Sequence, residues 1–223
     1  MLPRSFSTPA AGDVSKASIV YVVDDDESMR DSLRGLLDSV GLSVETFASS
    51  QEFLDFPKCN VPSCLILDVR LRGESGLTIQ QEMTKSGLRM PIMFITGYGD
   101  IEMSVKAMKA GAVDFFPKPF HDQDMLDAIT QALARDSERL VTDKSIASLR
   151  AAYDSLTPRE QQVMRFVVAG LMNKQIASEM HLSEVTVKVH RGQAMKKMSA
   201  RSVADLVRKA EALGIKPPQT KTR

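Results

Sequence analysis

Acidic, hydroxyl and ammonium side chains follow several short apolar runs in the first 120 residues. Asp24-Asp25-Asp26-Glu27 follows Ile19 to Val23, and Asp68 follows Cys64 to Leu67. Thr96-Gly97 follows Ile92 to Ile95, and Lys118-Pro119 comes after Val113 to Phe116. Carboxylates brought to one place repel one another unless a divalent hard cation lies between them. Mg²⁺ (or Mn²⁺) takes a few carboxylates together with water and phosphate oxygen. An Asp at the end of a buried strand is also a nucleophile for a phosphoryl group. The metal would offset charge developing on the equatorial phosphoryl oxygens, and a hydroxyl and an ammonium would take the remaining ones. Thr96 and Lys118 have those groups.

These residues meet only if the runs that carry them lie in one sheet. Ile19 to Val23, Ser43 to Phe47, Cys64 to Leu67, Ile92 to Ile95 and Val113 to Phe116 read as strands. Between them lie amphipathic stretches with helical period: Ser28 to Val40, Ser50 to Phe56, Thr78 to Ser86, Ile101 to Ala110 and Asp122 to Arg135. Five such βα units predict an α/β fold, a parallel sheet covered by helices on both faces, with its ligand at the carboxyl ends of the strands. Taken singly, an Asp or Lys is usually a solvated surface charge, a Thr after a strand a turn former, and Phe115 a core residue. Fitting residue types at four separate strand ends weigh against that reading. A phosphohydrolase with an aspartyl-phosphate intermediate would place a second acid two residues after Asp68, where Arg70 stands.

The strings VVDDDE, LILDVRLRGESG, FITGYGD and KAGAVDFFPKPF match, in order and spacing, a known pattern. Residues 18–135 resemble the receiver domain of bacterial two-component response regulators. The resemblance implies a flavodoxin-like, five-stranded sheet in the order 2-1-3-4-5. It implies that Asp68 accepts a phosphoryl group from a sensor histidine kinase, and that the chain is no enzyme beyond its own phosphotransfer and dephosphorylation at Asp68. Asp24, Asp25, Asp68 and the backbone carbonyl of Arg70 would hold Mg²⁺. Thr96 and Phe115 would form the hydroxyl and aromatic switch, Lys118 would bridge to the acyl phosphate, and Lys118-Pro119 would be cis. Phosphorylation would draw Thr96 and Phe115 inward and reshape the face built from Ile101 to Ala110 and the fifth strand. That face would then dimerise, or release an inhibited second domain. Arg70 and Tyr98 would lie close enough to set the phosphoryl lifetime. One position departs from the family: Arg72 stands where Pro is usual.

Charge divides the chain. Residues 1–135 carry 13 basic and 19 acidic side chains, whereas residues 155–223 carry 13 and 5. An acidic part followed by a basic one predicts two domains with different partners, the second a candidate for nucleic acid. Residues 1–17 read as a disordered extension and 217–223 as a flexible tail. No run approaches a membrane span or a secretory signal, so a cytoplasmic bacterial protein without a membrane partner is expected. Cys59 and Cys64 lack the His or Cys partners of a zinc site and read as structural, Cys64 as buried.

Residues 136–154 read as a helical linker, with Leu140, Ile146, Leu149 and Tyr153 continuing the apolar positions Leu126, Ile129 and Leu133. It could pair with a second copy or remain single. Thr157-Pro158-Arg159-Glu160 is a capping box with Pro at the first helical position, and Gly170 suits the exit. Asn173 can cap a short helix to about Met180, followed by a tight turn and a helix from Glu184 to about Met198. A last helix starts at Ser202 and ends near Leu213-Gly214. Two short helices joined by a tight turn are a helix-turn-helix. Val187, Ala194 and Met198 fall on one stripe of its second helix, with Lys188 and Val189 opposite. Lys can donate to guanine edges and Val can touch thymine methyls. Lys174, Arg191, Lys196, Lys197 and Arg201 are placed to neutralise phosphates. His190 reads as a packing or phosphate-touching residue.

The string LTPREQQVMRFVVAGLMNKQIASEMHLSEVTVKVHRGQAMKKMSARS resembles the LuxR-type helix-turn-helix of FixJ/NarL-family regulators, within residues 155–216, with the receiver's KPF ending leaning to the FixJ-like branch. The resemblance implies an all-α four-helix domain binding promoter DNA through Lys174, Thr186, Lys188, Val189, Arg191 and Lys196, with RNA polymerase as a further partner. Gly192 departs from the larger or basic residue of some relatives. Val203, Leu206, Val207 and Ala210 could join two such domains on an inverted repeat, or only close the domain core. The alternative for the whole chain is a receiver acting by protein contact without specific DNA binding.

Overall fold

The computed structural model describes residues 18–97 and 101–218. The segment 1–17, Tyr98 and residues 219–223 of the tail lie outside the described residues. In chain order the elements are β1 (Ile19–Val23), α1 (Glu27–Ser39), β2 (Ser43–Phe47), α2 (Ser50–Asp55), β3 (Ser63–Asp68), β4 (Arg70–Leu71), β5 (Glu74–Ser75), α3 (Gly76–Ser86), β6 (Ile92–Thr96), α4 (Ile101–Lys109), β7 (Asp114–Pro117) and α5 (Asp122–Asp154). They continue with α6 (Pro158–Val168), α7 (Asn173–Met180), α8 (Glu184–Lys197) and α9 (Val203–Ala212). The chain divides into two compact units, Met1–Leu140 and Val141–Arg223.

The first unit contains a five-stranded parallel sheet in the order β2-β1-β3-β6-β7. This is the expected 2-1-3-4-5 order. The fourth and fifth strands become β6 and β7 because a two-stranded antiparallel hairpin, β4-β5, interrupts the count. That hairpin was not anticipated: its strands have two residues each, too short to carry a periodic signal.

Alternation along each strand sends successive side chains to opposite faces. Tyr21, Val23, Leu65, Leu67 and Phe94 enter one core with Phe53 of α2, Ile79 and Met83 of α3 and Ala107 of α4. Val20, Val22, Ile66, Met93 and Ile95 enter the other with Leu33 and Leu37 of α1 and Met125, Ile129 and Ala132 of α5. Burial on both faces is why these strands read as unbroken apolar runs.

Helix starts follow side-chain capping. Asp26, Ser49 and Ser75 cap α1, α2 and α3 by accepting from Ser28, Glu52 and Leu77 N–H groups. Near the far end of the sheet, buried Asp136 of α5 accepts from the Ser63 N–H at 3.0 Å and pairs with Arg139 at 2.8 Å. Cys64 is buried and Cys59 exposed.

The second unit is built from α6, α7, α8 and α9 with the end of α5. Val163, Met164, Val167, Ile176, Ala177, Val187, Ala194, Met198, Leu206 and Ala210 form its core with Tyr153 and Leu156. The apolar positions across the linker therefore divide: Ile129 belongs to a core of the first unit and Tyr153 to that of the second, while Ile146 is exposed. Thr157 and Glu160 form the expected capping box of α6. Among the described residues, no helix is long and apolar enough to cross a membrane.

Gly76 allows the closest backbone approach in the first unit. A Cβ there would lie 2.6 Å from the carbonyl oxygen of Asp68 and 3.0 Å from Cε1 of Phe94. Gly76→Ala is expected to destabilise the chain by about 1–3 kcal/mol through overpacking, measured as a lower thermal midpoint. Gly192→Ala, where no atom lies within 4 Å of the new Cβ, leaves the midpoint unchanged or raises it.

Candidate functional site

Strand register decides which side chains share the carboxyl edge. Val23 aligns with Leu67, Leu67 with Phe94, and Phe94 with Phe115. One step further along, Asp24 and Asp68 emerge together beyond β1 and at the end of β3, followed by Thr96 at the end of β6. Lys118 follows β7.

Ligand oxygens of Asp24, Asp25 and Asp68 lie within 4.8 Å of one another. Asp24 and Asp68 are buried, and Asp25 is half-buried. The Lys118 ammonium donates to Asp24 Oδ2 at 2.8 Å and to Asp68 Oδ2 at 2.6 Å. The other oxygens of these two carboxylates accept backbone N–H groups, Asp26 N at 2.8 Å on Asp24 and Arg70 N at 2.8 Å on Asp68. Burial pushes the Asp24 carboxyl above its ordinary range, against the pull of Lys118. Burial also opposes the charge on Lys118, but its hydrogen bonds to Asp24 and Asp68 outweigh that and raise its pKa. Compact carboxylate oxygens in this arrangement suit a small, hard divalent cation.

The remaining expected residues occupy the same edge. Thr96 is buried, and its carbonyl accepts from Lys118 N at 2.7 Å. Phe115 is half-buried against the core facing α2, α3 and α4. The Lys118-Pro119 peptide is cis. Arg72 places its Nε 3.1 Å from Asp25 Oδ2.

In the second unit, α8 begins at the Ser183 cap, whose hydroxyl accepts from Thr186 N and pairs with Thr186 Oγ1 at 2.8 Å. Val187 and Ala194 turn inward, leaving Lys188 exposed and Val185 and Val189 exposed at 73% and 56%. Val residues that open to solvent on a helix with an inward core stripe form a surface suited to a partner. Lys174 on α7 and Lys196 on α8 are exposed.

A model of the response regulator receiver domain matches residues 20–130, and a model of the bacterial regulatory proteins of the luxR family matches residues 154–210. Nodulation protein W of Bradyrhizobium diazoefficiens is 52% identical over 208 residues, covering 93% of this chain and 92% of its own. The transcriptional regulatory protein FixJ of the same organism is 43% identical over 197 residues, covering 88% and 96%. The chain belongs to the response regulators that join a receiver to a luxR-type DNA-binding domain. Among solved structures, the response regulator StyR superposes with a TM-score of 0.78 at 48% identity, covering 87% of this chain and 98% of that one.

Tertiary contacts revise several positions of this response regulator. Lys197 is held inside its domain: its ammonium donates to Glu160 Oε2 at 2.7 Å and to the Ser155 carbonyl at 3.2 Å. That contact pulls the Glu160 carboxyl below its ordinary range. Asn173 is the first helical residue of α7 and does not cap it. Its side-chain Oδ1 accepts from Arg191 Nη1 at 2.8 Å and so braces α8 against α7. Leu206 and Ala210 close the core, leaving Val203 as the exposed apolar residue of the face expected to meet a second domain. Asp136 and Glu160 were missed as buried charges. A backbone amide 73 residues from Asp136 and an ammonium 37 residues from Glu160 leave no local trace.

Lys118→Met removes the ammonium that offsets two carboxylates at this edge. Asp24, already raised, rises further, and a carboxyl whose folded pKa is raised favours folding at low pH and loses that advantage as pH rises. Without divalent metal, the variant is expected to be less stable by on the order of 2–4 kcal/mol at pH 7.5. The deficit narrows as pH falls through the carboxylate range, read from thermal midpoints across pH.

Proposed function

We propose that this response regulator is a phosphorylation-controlled transcription factor in which Asp68 accepts the phosphoryl group and α8 reads promoter DNA. The observation that carries it is the Lys118 ammonium bridging Asp24 and Asp68 inside a three-carboxylate cluster at the sheet edge. In this reading residues 18–135 are the receiver, 136–154 the linker and 155–216 the DNA-binding domain, with 1–17 and 217–223 as extensions. The chain works in the bacterial cytoplasm.

Asp24, Asp25, Asp68 and the Arg70 carbonyl would hold Mg²⁺ or Mn²⁺, which when bound offsets charge on the phosphoryl oxygens. A carboxylate oxygen of Asp68 forms the new P–O bond as the P–N bond of the kinase's phosphohistidine breaks. The departing imidazole nitrogen keeps the electron pair. The Asp26 and Arg70 N–H groups aim the two buried carboxylates, and Arg30 fixes the Asp24 backbone through its carbonyl at 2.7 Å. The Lys118 ammonium, freed from one carboxylate oxygen, turns to a phosphoryl oxygen, and the Thr96 hydroxyl takes another. Phe115 follows Thr96 inward, since Phe94 aligns with Phe115 and alternation puts Thr96 on the same sheet face as Phe94, so both side chains share that face of neighbouring strands. The face formed by α4 and β7, with Val105 and Met108 exposed at 44% and 46%, then supports self-association.

DNA recognition rests on the α8 surface. Lys188 donates to a base edge and Val189 meets an apolar base feature. Thr186, Lys174, Lys196 and the Asn173-braced Arg191 serve the phosphates and orientation. RNA polymerase is the further partner of the DNA-bound dimer.

Asp68→Asn is expected to abolish phosphate incorporation from acetyl phosphate and Mg²⁺. Retained labelling moves the acceptor elsewhere, to Asp24 or Asp25 first. Lys188→Ala is expected to weaken specific duplex binding by about 1–3 kcal/mol while leaving non-specific binding nearly unchanged. Equal losses in a salt titration would make Lys188 a phosphate contact, and no duplex binding by the parent chain would favour action through protein contact alone.

A further inference from the structure

Lys118 and Arg72 both pair with side-chain oxygens of the carboxylate cluster, and they are held differently. Lys118 is 19% exposed and shared between Asp24 and Asp68. The third carboxylate, Asp25, is paired with Arg72, whose side chain is 86% exposed. Arg72 stands at the turn of the β4-β5 hairpin beside Gly73, whose φ of 87° lies in the left-handed region that lets the chain reverse there. The base of that hairpin is fixed. Arg70 N donates to Asp68 at 2.8 Å, Gly76 N to the Val69 carbonyl at 2.9 Å, and the Ser50 hydroxyl is bonded to the Glu74 carboxylate. The Arg72 side chain meets Asp25 from this turn; proline, usual at this position in the resembling family, carries no charge.

We infer that Arg72 is a built-in counter-ion for Asp25 that a divalent cation must displace, so that Arg72 sets the metal affinity of this site. The inference rests on the proposed metal-binding role of Asp24, Asp25 and Asp68. A guanidinium at Asp25 Oδ2 competes for the carboxylate that would help hold the metal, and its charge would repel a cation there. In the metal-free chain it offsets the repulsion among three carboxylates that Lys118 alone does not balance.

The test compares the full chain with Arg72→Gln and Arg72→Lys by calorimetric titration with MgCl₂ at low and high NaCl. Arg72→Gln is expected to bind Mg²⁺ about two- to five-fold more tightly, the range that an exposed ion pair can contribute, and the gain shrinks at high salt. Arg72→Lys, which keeps the charge, stays near the parent. In thermal unfolding, the rise in midpoint on adding Mg²⁺ is larger for Arg72→Gln than for the parent. Equal Mg²⁺ affinity of all three chains overturns the counter-ion role while leaving the metal site standing. Absence of Mg²⁺ binding in all three removes the metal site, and the counter-ion role with it.

Discussion

Three carboxylates crowded at the end of a buried sheet cannot all keep their charge without cations beside them. That constraint governs the first unit. Lys118 answers it for Asp24 and Asp68, and its position depends on β7 lying in register beside β6, since Thr96 aligns with Pro117 and accepts from Lys118 N. Backbone amides from Asp26 and Arg70 satisfy the other oxygens, so the loops after β1 and β3 are shaped around the carboxylates. Gly76 serves this geometry too: its missing side chain leaves room for the Asp68 carbonyl. Burial still holds Asp24 above its ordinary range, against the pull of Lys118 and the Asp26 amide.

The helical unit uses charge for a different end. Its buried residues are apolar apart from Glu160, and that acid joins the start of α6 to the end of α8 through Lys197. Arg191 ties the middle of α8 to the start of α7 through Asn173. Both ties fix the orientation of α8 within the domain, which matters for a helix that must enter a groove with a few side chains in register. Basic residues that read alike along the chain therefore divide into those that brace α8 and those, such as Lys188 and Lys196, that remain exposed.

The two units differ in how openly the sequence displays them. In the sheet, side chains alternate into two cores, so β1, β3 and β6 appear as continuous apolar runs with the acids and threonine at their ends, and the lysine follows β7. In the helical unit, Thr157, Ser183 and Ser202 mark helix starts through local capping, and Val187, Ala194 and Met198 fall on a stripe that the structure does bury. The β4-β5 hairpin escaped notice because two-residue strands carry no period. The role of Asn173 escaped because a residue type that caps helices can equally accept from a guanidinium on another helix.

The order of elements, the α/β character of the first part, the basic helix-turn-helix of the second and the identity of the converging residues were determined by the sequence itself. They depend on spacing, alternation and capping within a few residues, all of them local. Only the tertiary structure decided how charges pair: Lys118 with two carboxylates, Arg72 with Asp25, Asp136 with a strand amide, Lys197 with Glu160. These contacts join positions tens of residues apart. A charge's partner is chosen by which elements pack together, and long, flexible side chains leave no pattern in the chain to announce it.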